Sequence, residues 1–350
     1  MNETISLRKF ADIDLNDPFF DSLKEDYPGF EEWFDRKAKD ERKAYVQYTD
    51  NKLQAFLFLK DESGEELTDV TPNRPACKRL KVGTFKIDAH NTRLGERFVK
   101  KIMDVAIYIG ADEVYVTVFA KHGGLIRMLE RYGFNMEGTK GEENVYVKNM
   151  KSLSGDQIKD YPLITTKGKR KFVLSIYPEY HTRMFPDSIL KNEENQKYEL
   201  IKDVSYTNSI HKIYLCSMTG VSQLQKGDLI AIYRTKDDKE PARYRSVVTS
   251  VCQVEEIKSP KDFQCVEDFV NYTNYYSIFD TKELRDWYNK KNCVVLKMTY
   301  NVAFKKRVTM DYLLNELKIS PEYWGFFQLT DEQFSAILKK GEIDENIIID

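Results

Sequence analysis

Arg93, Gly95 and Arg97 open an amphipathic segment that follows a short polar loop. A helix start offers unpaired backbone N–H groups and about half a positive charge, which together bind phosphate. The two arginines add to that field, and the glycine leaves room for a ligand close to the backbone. These residues, with Leu94 and Glu96 between them, are therefore a candidate anion site, although they also suit an ordinary turn between a strand and a helix.

Two regular elements must position this site. The stretch from Leu80 to Asp88 has apolar residues at Val82, Phe85 and Ile87, which predicts a strand. From Leu94 to Ile109 the apolar residues recur at steps of four, four, three and four, which predicts an amphipathic helix. In the intervening polar loop, Asn91 or Thr92 is the expected helix cap.

The chain then continues with a strand, a helix and a closing strand, predicted at Glu113 to Ala120, Gly123 to Arg131 and Asn144 to Asn149. The second helix runs into the pair Gly133-Phe134. This order of elements and the Gly-Phe pair resemble the GNAT acetyltransferase family over roughly residues 1 to 150. The resemblance implies an α/β (α+β) domain with a central mixed sheet.

The same family has a phosphate loop that begins with Gln or Arg and contains two small residues. Placing Gly95 at the last small position puts Arg93 at the middle glycine and His90 at the leading position. The resemblance implies that acetyl-CoA is the co-substrate. Backbone groups near Phe85 and Ile87 would hold its thioester and pantetheine, and the N–H groups of residues 93 to 97 would hold its pyrophosphate.

The catalytic residues are expected near the second helix. Many family members have a tyrosine four residues before the Gly-Phe glycine, where this chain has Leu129. Tyr132 is the predicted replacement acid, with packing of its ring as the alternative. His122 is the predicted base or ligand contact, with helix capping as the alternative, and His90 is a third candidate.

Before this core, residues 10 to 40 predict two short helices broken at Tyr27-Pro28-Gly29. The resemblance places this region over the acceptor side of the cleft, although core packing also explains its aromatic residues. Ala44 to Lys60 alternates around Thr49-Asp50-Asn51, which predicts a hairpin. Asp61 to Pro75 is polar and predicts a surface loop.

Composition limits the function classes. The chain has 350 residues, 41% hydrophobic and 31% charged, with a net charge of −2 at pH 7. That charge excludes a global basic field, so any nucleic-acid site must be a local patch. No signal peptide or apolar run of about 20 residues is found, so we expect no membrane partner. The five scattered cysteines indicate free buried thiols in a cytoplasmic setting, without disulfides or a metal site.

Four regions follow from these patterns: the GNAT-like domain at 1–150, a linker at 151–170, a second domain at 171–341 and an acidic tail at 342–350. Short irregularly spaced strands predict a small mixed β-barrel closed by a single helix. The predicted strands are Phe172 to Arg183, Lys212 to Ser217, Asp228 to Thr235, Tyr244 to Val254 and Val294 to Thr299. A capping box of Thr330 with Gln333 begins the helix, and Gly341 ends it.

The second domain resembles the PUA-like superfamily, and most nearly ASCH domains, at Leu174 to Tyr180, Lys226 to Leu229 and Val247 to Ile257. The resemblance implies contact with RNA or a modified nucleic acid. The candidate phosphate contacts are Lys169, Arg170, Lys171, Arg243 and Arg245. A candidate stacking platform consists of Tyr272, Tyr275, Tyr276 and Phe279. A solvated charged face is the alternative explanation for the basic residues.

Two functions remain open at this point. The first is an acetyl-CoA-dependent N-acetyltransferase whose C-terminal domain presents an amine on RNA, on aminoacyl-tRNA or on an associated protein. The second is a non-catalytic RNA-binding, modified-base-binding or assembly protein with a degenerate acetyltransferase fold. The sequence fixes neither the acceptor nor the oligomeric state.

Overall fold

The computed structural model of the chain describes residues 5–88, 93–185, 188, 209–237 and 241–350. His90, Asn91 and Thr92 lie outside these ranges. Contacts between Cα atoms divide the chain into two units, Met1–Lys151 and Ser152–Asp350. No helix in the described ranges is long and apolar enough to cross a membrane.

The first unit is built on a seven-stranded mixed sheet with the strand order β1-β2-β3-β4-β5-β7-β6. Its strands are β1 (Ser6–Lys9), β2 (Lys43–Thr49), β3 (Lys52–Asp61), β4 (Arg79–Ile87), β5 (Glu113–Phe119), β6 (Asn135–Lys140) and β7 (Glu143–Asn149). Only β4 and β5 pair in parallel, whereas the other neighbours are antiparallel. The predicted central mixed sheet is therefore confirmed.

Four helices cover this sheet: α1 (Asp21–Asp26), α2 (Phe30–Lys39), α3 (Leu94–Ile109) and α4 (Gly123–Arg131). α3 begins at the predicted residue, and α4 both begins and ends at the predicted residues. In both helices the apolar residues recur clearly with the helical period. The predicted hairpin is also confirmed, since Asp50 and Asn51 connect β2 and β3 with φ values of 50° and 63°. Two adjacent left-handed residues suit the right-handed twist of paired strands.

The polar segment between β3 and β4 is not simply a surface loop. It contains no helix or strand, but Leu67 and Val70 are buried against Tyr115, Val145 and Val147. Arg74 also reaches back to Glu113. The prediction of a surface loop was based on polarity, which does not reveal the two apolar residues that anchor it.

The second unit contains a six-stranded mixed sheet with the order β13-β8-β10-β11-β12-β9. Its strands are β8 (Lys171–Ile176), β9 (His211–Cys216), β10 (Leu229–Arg234), β11 (Val247–Lys258), β12 (Val294–Thr309) and β13 (Phe326–Leu329). β8 and β10 are parallel, and the other pairs are antiparallel. Among the described residues no pairing joins β13 to β9, so the closed barrel stays a prediction.

More than one helix packs on this sheet, so the expectation of a single helix is wrong. Within the described ranges the helices of this unit are α5 (Gln157–Asp160), α6 (Pro178–Met184), α7 (Ala242–Arg245), α8 (Val266–Asn274), α9 (Thr281–Tyr288), α10 (Met310–Asn315) and α11 (Asp331–Lys340). The capping box of α11 is confirmed, because Thr330 Oγ1 accepts from the backbone N–H of Gln333 at 3.2 Å. Five of these helices have eight or fewer residues, which makes their periodicity weak in sequence.

The expected linker and tail are parts of the second unit. From Ser152 onward the segment packs with this unit, and Tyr161, Leu163 and Ile164 are buried. Ile164 forms a parallel bridge with Ile348, and the backbone N–H of Thr166 donates to Asp350 at 2.7 Å. The polar composition of both segments conceals these few apolar and side-chain anchors.

The cysteines form no disulfide. Cys216, Cys252 and Cys293 are buried, as expected of free thiols in a core, whereas Cys265 is exposed and Cys77 is intermediate. Burial raises the pKa of the Cys216 thiol to about 11, so it stays protonated near neutral pH.

Candidate functional site

The parallel strands β4 and β5 separate part-way along their length. They pair from Arg79 with Glu113 to Val82 with Val116. Beyond that point residues 84–87 of β4 pair on one side with β3, and no described strand pairs with their other side. The separation exposes backbone N–H and C=O groups along one edge of β4, which an extended ligand can pair with.

A cavity of about 640 Å³ opens where the two strands separate, and we call it the strand cleft. Its strand wall consists of Val82, Gly83, Thr84, Phe85, Lys86, Ile87, Val116, Thr117 and Val118. Its helical wall consists of residues between Ser22 and Arg36 of α1 and α2. Lys121 to Leu125, at the start of α4, and Glu143 complete the lining.

A charged cluster joins the helical wall to the start of α4. The Asp26 carboxylate lies 3.0 Å from His122 Nε2 and also forms an ion pair with Lys121. The hydrogen bond from Lys121 lowers the pKa of Asp26 below its usual value, and burial only partly opposes it. An aspartate that remains ionised can fix the Nε2–H tautomer of His122, which leaves Nδ1 as a proton acceptor.

A second polar pair lies in the same cleft. The Tyr27 hydroxyl donates to Glu143 Oε1 at 2.7 Å, and the Tyr27 ring packs 5.3 Å from the ring of Phe119. Burial, followed by the hydrogen bond to Glu143, raises the pKa of Tyr27 well above its usual value. Tyr27 is therefore a neutral hydroxyl throughout the physiological pH range.

Lys86 fastens the strand wall to the helical wall. Its Nζ donates to Ser22 Oγ at 2.7 Å and to the backbone oxygen of Phe19. Lys86 Nζ also lies 3.6 Å from an oxygen of Asp88. These contacts fix the start of α1 over β4, so both walls of the cleft are held in place.

The predicted cofactor residues divide into two groups. Phe85 and Ile87 line the strand cleft. The residues at the start of α3 do not line it, and three of them, Leu94, Glu96 and Arg97, are at most 8% exposed. Because residues 89–92 lie outside the described ranges, the pyrophosphate site at residues 93–97, including Arg93, stays a prediction.

Gly95 has a packing role. A Cβ atom at this position would lie 2.6 Å from Met128 Sδ and 3.6 Å from Ile87 Cδ1. The glycine therefore permits close approach of α3 and α4 through Met128. The space it leaves is filled by protein atoms, whereas the sequence interpretation assigned that space to a ligand.

Of the two predicted catalytic residues, the structure places one in the cleft. His122 lines the cleft with 39% of its side chain exposed. Tyr132 is 2% exposed and is not part of the lining. The chain turns at Gly133, with φ 84°, directly after α4, and this turn buries the Tyr132 ring. Leu129, at the usual family position, is fully buried.

Asp26, Tyr27 and Glu143 were missed in the sequence. Tyr27 and Glu143 are 116 positions apart, so no local pattern connects them. The break at Tyr27-Pro28-Gly29 was the one available signal, because Gly29 adopts φ 87° and turns the chain into the cleft.

Four of the five basic residues proposed for nucleic-acid contact form ion pairs with carboxylates. Lys171 is 2% exposed and donates to Asp331 Oδ1 at 2.6 Å. Arg170 donates to Asp228 Oδ1 at 3.0 Å. Arg243 pairs with Asp311, and Arg245 pairs with Asp237. Lys169 is half-buried and forms no ion pair with the described residues.

The predicted stacking platform is mostly core. Tyr276 and Phe279 are 8% and 4% exposed, and the Tyr272 hydroxyl donates to Glu256 Oε2 at 2.6 Å. Tyr275, with 47% exposure, is the member that presents its ring to solvent. Burial of the other rings explains why this segment is rich in aromatic residues.

No protein-family model matches the chain, and no curated protein matches it. Solved structures of two kinds do match. The ASCH protein of Zymomonas mobilis is 10% identical, with a TM-score of 0.33, over 48% of this chain and 94% of that one. PaiA N-acetyltransferase of Thermoplasma acidophilum, in complex with coenzyme A, is 14% identical, with a TM-score of 0.29, over 42% and 99%.

A further match is the N-acetyltransferase PseH of Campylobacter jejuni in complex with acetyl coenzyme A. It is 12% identical, with a TM-score of 0.29, and the match covers 42% of this chain and 99% of that one. The chain is similar to both kinds of protein. They are the two kinds that the sequence resembles, GNAT acetyltransferases and ASCH domains.

Proposed function

We propose that the first unit is an acetyl-CoA-dependent N-acetyltransferase domain. The observation that carries this proposal is the separation of β4 from β5. It leaves one backbone edge of β4 open inside a cleft that also contains a carboxylate–histidine pair. An extended thioester arm can pair with the open edge, and an amine can enter beside the histidine.

The reaction requires little more than positioning and proton transfer. The amine nitrogen forms a bond to the thioester carbonyl carbon, and the carbon–sulfur bond breaks. We assign His122 Nδ1 as the acceptor of the amine proton, with Asp26 orienting the ring through Nε2. We assign the Tyr27 hydroxyl, which stays neutral, as a hydrogen-bond donor to the departing thiolate, which takes its proton from solvent.

The pyrophosphate of acetyl-CoA would be held by the start of α3. Arg93, Leu94, Gly95, Glu96 and Arg97 provide the first N–H groups of a helix of 16 residues, and a helix start attracts phosphate. Phe85 and Ile87 of β4 would contact the pantetheine arm through their backbone groups.

We propose that the second unit recognises the molecule that bears the amine. An RNA, an aminoacyl-tRNA or an associated protein remains the expected bearer. The pairing of four of the five basic residues with carboxylates means that phosphate contact would have to compete with existing ion pairs. Reversing Lys169, Arg170 and Lys171 to glutamate and measuring RNA retention across salt concentrations tests that contact.

Thermal unfolding of the full chain with and without acetyl-CoA tests the cofactor site. A ligand at about a hundred times its dissociation constant stabilises the native state by ~2.7 kcal/mol. Gly124 lines the cleft, and a Cβ at this position would meet no atom within 4 Å. Gly124→Phe should therefore fill the cleft without disturbing the core and abolish the stabilisation by acetyl-CoA.

Gly124→Ala is the matched control, because it adds one methyl group to the same open space. It should bind acetyl-CoA as the unmodified chain does. Equal stabilisation of the two variants would show that acetyl-CoA binds elsewhere. The absence of any stabilisation in the unmodified chain would contradict the proposed function.

A further inference from the structure

The strand cleft contains two carboxylates with different charge balance. Asp26 pairs with Lys121 and His122. Glu143 forms no ion pair with any described residue, and its side chain accepts a hydrogen bond from the neutral Tyr27 hydroxyl. An uncompensated carboxylate on a cavity wall attracts a cation, and the ammonium form of an amine acceptor is such a cation.

The helical wall of the cleft also presents an apolar surface. Leu23, Phe30 and Trp33 line the cleft. The Trp33 ring lies 5.6 Å from Phe10, 5.3 Å from Phe30 and 5.7 Å from Phe58, measured between ring centroids. A ring held by three aromatic neighbours is a rigid surface, against which an apolar body of similar size can pack.

Arg36 adds a positive charge to the same wall. It follows Trp33 by three residues on α2, so the two side chains share a helix face, and both line the cleft. Arg36 is exposed, and its side chain forms no hydrogen bond or ion pair with the described residues. A guanidinium group without a partner binds a carboxylate through two parallel hydrogen bonds.

We infer that the acceptor is an amine on an aromatic or similarly sized apolar body that also carries a carboxylate. The ammonium lies against Glu143, the body packs on Trp33, and the carboxylate pairs with Arg36. This inference rests on the proposed acetyl transfer and names its substrate class. RNA and aminoacyl-tRNA carry no free carboxylate beside the amine, so a small amine with a carboxylate replaces them as the expected acceptor. It makes Arg36 and Trp33 the residues that determine specificity.

Three amines test the inference on the full chain with saturating acetyl-CoA. L-phenylalanine and para-(aminoethyl)benzoate carry a carboxylate at different distances from the amine, and phenethylamine carries none. At least one of the first two should exceed phenethylamine in kcat/KM by about tenfold or more, because a charge-assisted bond contributes about 1.5–3 kcal/mol.

Arg36→Ala should lower kcat/KM for the carboxylate-bearing amines to the level of phenethylamine, and so remove that preference. Lys39→Ala is the matched control, since Lys39 is an exposed basic residue of the same helix that does not line the cleft. It should keep the preference. Glu143→Gln should raise KM for all three amines by about tenfold, because each loses its ionic partner.

Acetyl-CoA binding is measured in the same samples by thermal unfolding, which separates the two levels of the proposal. If acetyl-CoA binds but phenethylamine is used as well as both carboxylate-bearing amines, the acceptor inference is overturned and the cofactor site stands. If acetyl-CoA binds but none of the three amines is acetylated, the acceptor inference is likewise overturned and the cofactor site stands. If acetyl-CoA does not bind, the proposed function and the inference both fail.

Discussion

The charged side chains at the two ends of the β4–β5 pair differ in burial. Where the strands are paired, Arg79 is 1% exposed and its Nε lies 2.5 Å from Glu113 Oε1. Where they separate, the His122 side chain contacts Asp26 and is still 39% exposed. Burial and pairing fix the groups at the first end, whereas the groups at the second end remain accessible to a substrate. The same pair of strands therefore has a buried, ion-paired end and an accessible end.

The end where β4 and β5 are paired, which we call the closed end, contains a small network of ion-paired side chains. Arg74 Nη2 lies 2.6 Å from Glu113 Oε2, and Arg79 also donates to the backbone oxygens of Glu65 and Pro75. Burial would raise the pKa of Glu113, but the hydrogen bonds from the two arginines outweigh it and lower that pKa below the usual value. The network therefore holds the strands together and anchors the preceding polar segment.

The largest expected effect is on stability at the closed end. Arg79→Ala leaves part of the Glu113 charge and two backbone oxygens without their donor, so the free energy of unfolding should fall by about 3–5 kcal/mol. Arg36→Ala removes an exposed arginine of the same unit and should change it by less than ~0.5 kcal/mol. Urea unfolding of both variants measures the difference, and equal losses would contradict the contrast.

The next largest effect is on activity at the end where β4 and β5 separate. His122→Asn removes the proposed proton acceptor, so kcat should fall by about a hundredfold. Because the side chain is partly exposed, the free energy of unfolding should change by less than ~0.5 kcal/mol. Steady-state acetylation and urea unfolding are the measurements. An unchanged kcat would remove His122 from the chemistry.

A histidine of the second unit extends the comparison. His181 is fully buried, with Nε2 at 2.8 Å from Thr249 Oγ1. Burial, and then the charges of Arg234 and Arg307, lowers its pKa well below 6.5. The unfolded chain binds a proton below about pH 6.5 and the native state resists it, so this histidine makes stability decrease as the pH falls.

His181→Gln should remove that contribution, which amounts to about 2 kcal/mol at pH 5 relative to pH 7. The measurement is the free energy of unfolding at several pH values between 7 and 5. An unaltered slope in His181→Gln would show that other groups carry the pH dependence.

The smallest effect distinguishes an open glycine from a packed one. In Gly124→Ala the new methyl meets open space, so the gain in helix propensity should stabilise the chain by about 0.5–1 kcal/mol. In Gly95→Ala the same gain is opposed by a steric clash. The new Cβ would lie 2.6 Å from Met128 Sδ, so the Met128 side chain must move. Thermal unfolding should therefore rank Gly124→Ala above Gly95→Ala, and the reverse order would contradict the packing at α3.

Local periodicity was sufficient to predict most elements of the first unit. α4 has the predicted bounds because its apolar residues repeat with the helical period, and the β2–β3 hairpin follows from Asp50-Asn51. β6 was missed because Asn135–Lys140 is mostly exposed and has no alternation. The second unit was harder to predict because its helices are short and β12 changes register three times against β11.

The site itself was only partly predictable. His122 could be identified, because the start of a helix after a strand is visible in the sequence. Its partner Asp26 could not be identified, because the contact joins distant parts of the chain. Lys171 is a different case. A basic residue is normally exposed, and the sequence does not reveal that this side chain is 3% exposed and pairs with the exposed Asp331.

The open edge of β4 also bears on how the protein behaves in concentrated solution. Unpaired strand edges attract strands of other molecules and promote aggregation. Here the open edge spans only residues 83–87 and lies within a cleft whose other walls are helices. Because these walls flank so short an edge, we expect it to pair less readily with a strand of another molecule than a fully exposed edge would.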